Sequence, residues 1–138
     1  MAQKLDLDPF RQALRSLEEA LRLGAELAAE GEARRQLARD SAIHRFEFTY
    51  ELAIRFLRRH LEETDSKAEL DRVSYRDLIR LGAERGLLSD PRAWFDFREK
   101  RNLTVHTYNQ RLAEAVYSIL PAFKDQAQQL LTRLEEPS

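Results

Sequence analysis

The 138-residue chain contains no cysteine. Disulfides, iron–sulfur clusters, thiolate zinc sites and cysteine nucleophiles are thereby excluded, and a metal would have to be held by His, Asp and Glu. Glycine and proline number only four each, too few for the turn chemistry that a many-stranded sandwich or barrel needs every few residues. No apolar run approaches the ~20 residues of a membrane span, and residues 1–7 lack an apolar leader segment, so a soluble, cytoplasmic protein with no membrane partner is expected. An excess of charge of one sign is also missing. The 23 Lys+Arg against 24 Asp+Glu leave a formal charge of −1, so any site for a polyanion has to be local. Neither a Gly-x-Ser-x-Gly turn nor a Gly-rich phosphate loop occurs, which removes serine hydrolases and P-loop enzymes.

What is present is helical periodicity. The 43% hydrophobic content suffices for one core, and the whole chain, 1–138, reads as a single domain with its core at about 8–134. Asp8-Pro9 predicts a helix start with Asp8 as the cap, followed by Phe10, Leu14, Leu17, Leu21 and Leu27 on one face and an end at Gly31. From about Arg34 to Glu63 nothing breaks the pattern. Ile43, Phe46, Tyr50, Ala53, Leu57 and Leu61 make one stripe and Phe48, Leu52 and Phe56 another, which implies two neighbours for this helix. Thr64–Val73 reads as a polar loop. Ser74, with Asp77 three residues on, predicts a capped short helix closed by Gly86, and Asp90-Pro91 opens another. Leu112, Val116, Leu120, Phe123, Ala127, Leu130 and Leu134 belong to a last segment that Pro121 kinks or splits. The expectation is an all-α, antiparallel four- or five-helix up-and-down bundle.

Chemically capable side chains gather in one stretch, Lys100-Arg101-Asn102-Leu103-Thr104-Val105-His106-Thr107-Tyr108. Between Arg92 and Arg111 there are five basic residues and two acidic ones, a local surplus that suits a phosphate. On an unbroken helix Arg98, Asn102 and His106 would lie one above another, while Arg101 and His106 would be about 140° apart. Convergence of those two on one ligand therefore needs either a helix end or bulge near Thr104, or a second copy across a two-fold interface. An imidazole moves protons near neutral pH and a guanidinium holds two phosphate oxygens, which together suffice for RNA cleavage without a metal. The plainer reading has the same residues capping carbonyls or pairing with carboxylates at a helix end.

Arg101-Asn102-Leu103-Thr104-Val105-His106-Thr107-Tyr108 resembles the Arg-x4-His-x-Tyr signature of HEPN-domain proteins. Phe46-Glu47-Phe48-Thr49-Tyr50-Glu51-Leu52-Ala53 is similar to the companion motif of the family's nucleotidyltransferase substrate-binding branch. The resemblance runs from about Phe10 to Leu134 and departs at Ile54-Arg55, where the branch has a Trp-Lys pair. It implies a HEPN-like bundle that forms a homodimer or higher even oligomer and pairs with a separately encoded minimal nucleotidyltransferase in a two-component, toxin–antitoxin-like system. It also implies Arg101 and His106 as catalytic residues of a metal-independent endoribonuclease, Asn102 as helper, and Tyr108 as the tyrosine that the partner adenylylates in some members. RNA or a nucleotide is the implied ligand. Another reading of the branch makes the chain a non-catalytic subunit that holds a nucleotide or acceptor for the transferase. The chain is not the transferase itself, for it has no Gly-Ser ahead of paired aspartates. Arg98 and Lys100 are expected to assist binding, and no cofactor or metal is called for.

Glu47 and Glu51 lie four apart with His44 nearby, but no Glu-x-x-His occurs, so a carboxylate-bridged metal pair is not expected. They are read as residues behind the site that orient Arg or His, or as surface pairs such as Glu51 with Arg55. Trp94, Phe95 and Phe97 cannot all face inward on one helix, which leaves at least one for an interface.

Overall fold

The structure, a computed structural model, describes residues 5–64, 70 and 72–136. Helices α1 (Asp8–Ala28), α2 (Glu32–Thr64), α3 (Tyr75–Glu84), α4 (Pro91–Leu103), α5 (Gln110–Ser118) and α6 (Leu120–Glu135) follow one another, with a 3-10 turn, Thr104–His106, after α4. No strand occurs among the described residues. Only Ile119 separates α5 from α6, and Pro121 stands in the first turn of α6. The proline therefore splits the last segment as its missing donor requires. Among the described residues no helix is long and apolar enough to cross a membrane.

Two expectations about α1 are corrected. The helix begins at Asp8 with Leu7 as its cap, and no side chain caps it. Asp6 supplies the nearby acceptor instead, taking the Asp8 N–H at 3.1 Å, while the Asp8 carboxylate pairs with Arg11. At the other end α1 stops at Ala28, and Gly31, with φ 125°, forms the reversal into α2 that a side chain would resist. The expected loop over Thr64–Val73 lies mostly outside the described residues. At its margins Thr64 closes α2 and Leu70 is buried, with its carbonyl accepting from Arg58 Nη1 at 2.9 Å.

The predicted stripes become the core. Phe10, Leu14 and Leu17 of α1 meet Ile43, Phe46, Ala53, Leu57 and Leu61 of α2, all of them buried. In the second stripe Phe56 is buried against Phe10 with ring centroids 6.4 Å apart, Leu52 is partly buried, and Phe48 remains partly exposed with His44 edge-on to it. At the centre Phe123 of α6 receives Phe46, Phe97 and Trp94 edge to face, at centroid distances of 4.8, 5.2 and 5.9 Å. Trp94 and Phe97 thus serve packing, and Phe95 packs its edge on Tyr75 at 6.3 Å.

Two devices bring α5 against α1 and α2. A Cβ on Gly24 would stand 2.7 Å from the Tyr117 hydroxyl and 3.7 Å from Ala38 Cβ, so only glycine admits that close approach. Arg39, with 2% of its side chain exposed, bonds Glu114 and Asp40, each at 3.0 Å, and Arg35 also holds Glu114. The Glu114 carboxyl is held below the usual carboxylate range, chiefly by the hydrogen bond from Arg35. Removing one partner from such a cluster would strand a buried guanidinium, which is why the pairs come together on one face.

Candidate nucleic-acid site

The signature stretch is built by ending a helix. Asp90 caps α4 by accepting the Ala93 N–H at 3.2 Å, and Pro91 fills the first turn. At the far end the Thr104 hydroxyl folds back to donate to the Arg101 carbonyl at 2.8 Å. The chain tightens into the 3-10 turn Thr104–His106, the His106 carbonyl accepts from Asn109 N–H at 2.9 Å, and Asn109 caps α5 through Leu112 N–H at 3.2 Å. The helix does end before Thr104, yet within one chain Arg101 and His106 keep separate partners. The ladder of Arg98, Asn102 and His106 that an unbroken helix would make does not form.

Arg101 is the fixed member. Its Nη2 donates to Glu51 Oε1 at 2.5 Å and its Nη1 to the Thr104 hydroxyl at 3.2 Å, leaving 26% of the side chain exposed. Its Nε is buried without a partner. Glu51 comes from α2, so the expected pair with Arg55 is replaced by a cross-helix pair that orients Arg101. Glu51 thus bonds Arg101, whereas Glu47, partly buried, bonds none of the signature residues.

His106 is exposed, with Nδ1 3.3 Å from the Tyr108 hydroxyl and the two rings edge to face. Val105 and Tyr108 are 68% and 79% exposed, a pair of large apolar side chains on the turn that carries the histidine. Within one chain, then, the guanidinium answers to Glu51 and Thr104 and the imidazole to Tyr108. Lys100, expected to assist binding, is instead paired with Asp96 four residues earlier on α4, at 2.7 Å. Asn102 is exposed. Arg98 lies over the Tyr75 ring, 4.5 Å from its centroid.

Thr104 and Tyr75 are contributors that the sequence reading passed over. A hydroxyl three residues after an arginine at a helix end is a legible signal, whereas nothing near Tyr75 in the chain points to α4. Tyr75 donates its hydroxyl to the Trp94 carbonyl at 2.8 Å and packs on Tyr50. Burial pushes both phenols up from their ordinary value.

Residues 5–136 match the family model described as "Nucleotidyltransferase substrate binding protein like". A Haemophilus influenzae protein named "Probable ribonuclease HepT" is 33% identical over 96 residues, 69% of this chain and 66% of that relative, just under two thirds of its length. Two solved structures are similar. One, from Haemophilus influenzae, is described as revealing the fold of a substrate-binding domain of a nucleotidyltransferase; it superposes with a TM-score of 0.89 at 27% identity over 95% of this chain and 100% of that one. The other, from Thermus thermophilus, gives a TM-score of 0.64 at 37% identity over 87% and 99%. With the helical bundle, the two motifs and a family match spanning nearly every residue in agreement, the chain belongs to the nucleotidyltransferase substrate-binding-protein-like family.

Proposed function

We propose that this protein is the HEPN-type partner of a minimal nucleotidyltransferase, that two copies pair beside the Thr104–His106 turn, and that the paired Arg101 and His106 groups form a metal-independent endoribonuclease. The observation that carries the reading is the placement of an oriented guanidinium and an exposed imidazole on consecutive turns, with Val105 and Tyr108 presenting apolar surface beside them. The family match supports the transferase partnership, and the name of the Haemophilus relative supports the ribonuclease activity.

The chemistry needs a base, an acid and a cation. The ribose 2′-oxygen attacks the neighbouring phosphorus as one His106 takes its proton, the P–O5′ bond breaks, and the second copy's imidazolium protonates the leaving oxygen. A 2′,3′-cyclic phosphate and a 5′-hydroxyl result. Arg101 bonds the non-bridging oxygens as charge collects on them, with Asn102 assisting. Adenylate attached by the partner to the exposed Tyr108 hydroxyl would place a negative group beside His106 and exclude RNA.

A second reading is favoured by Glu51. Its carboxylate already occupies the outer nitrogen of Arg101, so Arg101 can hold a displaceable nucleotide or acceptor for the transferase without cutting anything. Incubating the purified protein with RNA in a chelator separates the two. Products ending in cyclic phosphate support the nuclease, and intact RNA with retained transferase binding supports the holding subunit.

Both readings require Glu51 to yield to a phosphate. Glu51→Gln keeps an oxygen acceptor for Arg101 and removes the competing charge. An exposed ion pair is worth ~0.2–1 kcal/mol, so calorimetric affinity for inorganic phosphate should rise, by up to about fivefold. A fall would show that Glu51 supports the anion site instead of competing for it.

A further inference from the structure

A close seat on an aromatic ring sets Arg98 apart. Arg11, Arg35, Arg39 and Arg101 each bond a carboxylate. Arg98 is exposed, bonds no carboxylate among the described residues, and holds its guanidinium carbon over the Tyr75 ring, 4.5 Å from the centroid. The other cation over a ring, Arg59 on Phe56, is more distant at 5.9 Å and stands on α2, away from the signature turn. The Tyr75 ring cannot swing away. Its hydroxyl is tied to the Trp94 carbonyl at 2.8 Å, and Tyr50 and Phe95 flank it with centroids 6.5 and 6.3 Å away.

A guanidinium seated on an aromatic face keeps its second face for another planar group, and nucleobases are the planar groups that stack on arginine in this way. The neighbourhood fits a nucleotide. Arg98 is three residues before Arg101 and four before Asn102, one turn along α4, so their side chains start about 5–6 Å apart. That is the reach between a base and its own phosphate or the next one. Asn102, exposed one turn beyond Arg98, offers both a donor and an acceptor to a base edge.

We infer that Arg98, seated on Tyr75, is a base-stacking subsite for the nucleotide whose phosphate occupies Arg101. The inference rests on the reading of Arg101 as a phosphate site, and it holds whether or not the bound RNA is cut. It assigns α3 a part in binding through Tyr75, which braces the arginine from a helix outside both sequence motifs. Because stacking accepts any π-face, the subsite confers preference for nucleotides over bare phosphates rather than for one base.

The test compares calorimetric affinity for AMP with that for ribose 5-phosphate in the parent, Arg98→Lys and Arg101→Ala. The parent is expected to prefer AMP by about tenfold, within the range for one base on an aromatic platform. Arg98→Lys retains the charge and loses the plane, so it should bind ribose 5-phosphate as the parent does and lose most of the preference. Arg101→Ala should weaken both ligands and keep the preference. Equal parental affinities, or a preference surviving in Arg98→Lys, overturn the subsite. If Arg101→Ala weakens neither ligand while Arg98→Lys abolishes the preference, the phosphate assignment fails and stacking on Arg98 stands alone. Arg98 is exposed, and a thermal melt of Arg98→Lys matching the parent confirms that the fold is intact.

Discussion

Exchanging His106 for alanine is expected to lower RNA cleavage by roughly 10²- to 10⁴-fold, the range contributed by a positioned acid or base. Fold stability should be unaffected. The ring is exposed, its side-chain partner is the equally exposed Tyr108, and its carbonyl bond to Asn109 is backbone and survives. Because a two-fold site would lose base and acid together, the loss belongs at the upper end of that range. His106→Ala should still bind uncut RNA, since Arg101 and its Glu51 and Thr104 contacts are untouched. Single-turnover cleavage in chelator gives the rate, and electrophoretic retention gives the binding. A variant that cuts as fast as the parent would remove His106 from the reaction and leave only the holding subunit.

Most of the architecture could be read from side-chain spacing, and the reasons are local. Phe46, Tyr50, Ala53, Leu57 and Leu61 repeat at three or four residues because α2 must bury that face, and all of them are buried. Ser74 and Asp90 cap through short-range bonds that any residue at those positions and of that type would make. Asp8 misled because an aspartate ahead of a proline has a competing use. It pairs with Arg11 one turn on, while Asp6 takes the amide. For the candidate site, the sequence singled out residues but not their geometry. Periodicity placed Arg101 and His106 on different faces of an unbroken helix, and α4 ends just before Thr104, whose hydroxyl turns back on the Arg101 carbonyl. What spacing along one helix could not show is which partners arrive from elsewhere. Glu51 reaches Arg101 from 50 residues upstream, and Tyr75 reaches Arg98 from α3. Both contacts depend on how α2, α3 and α4 pack, which is decided in the shared aromatic core.

That core makes Phe123 the position where substitution should cost most. The side chain is fully buried and touches Phe46 and Tyr50 of α2 and Trp94 and Phe97 of α4. Phe123→Ala removes the ring at which those four converge. Phe→Ala substitutions in well-packed cores cost about 3–5 kcal/mol, and the edge-to-face contacts place this one toward the upper part. For a chain of this size the melting temperature should fall on the order of 10–20 °C. Phe48→Ala is the contrast, since that ring is partly exposed and outside the main cluster, and its cost should stay below about 1 kcal/mol. The consequence for function follows from the same contacts. Tyr50 precedes Glu51 on α2, and Trp94 lies on the helix that carries Arg98 and Arg101. A cavity at Phe123 therefore loosens α4, the helix that carries Arg101, against α2, and a less firmly positioned guanidinium should weaken phosphate affinity even at temperatures where the variant remains folded, by more than release of the competing Glu51 raises it. Urea unfolding gives the first effect and calorimetry with inorganic phosphate the second. A Phe123→Ala protein as stable as Phe48→Ala would mean that the bundle is held by its α1–α2 hairpin alone, and that the seat of Arg101 does not depend on α6.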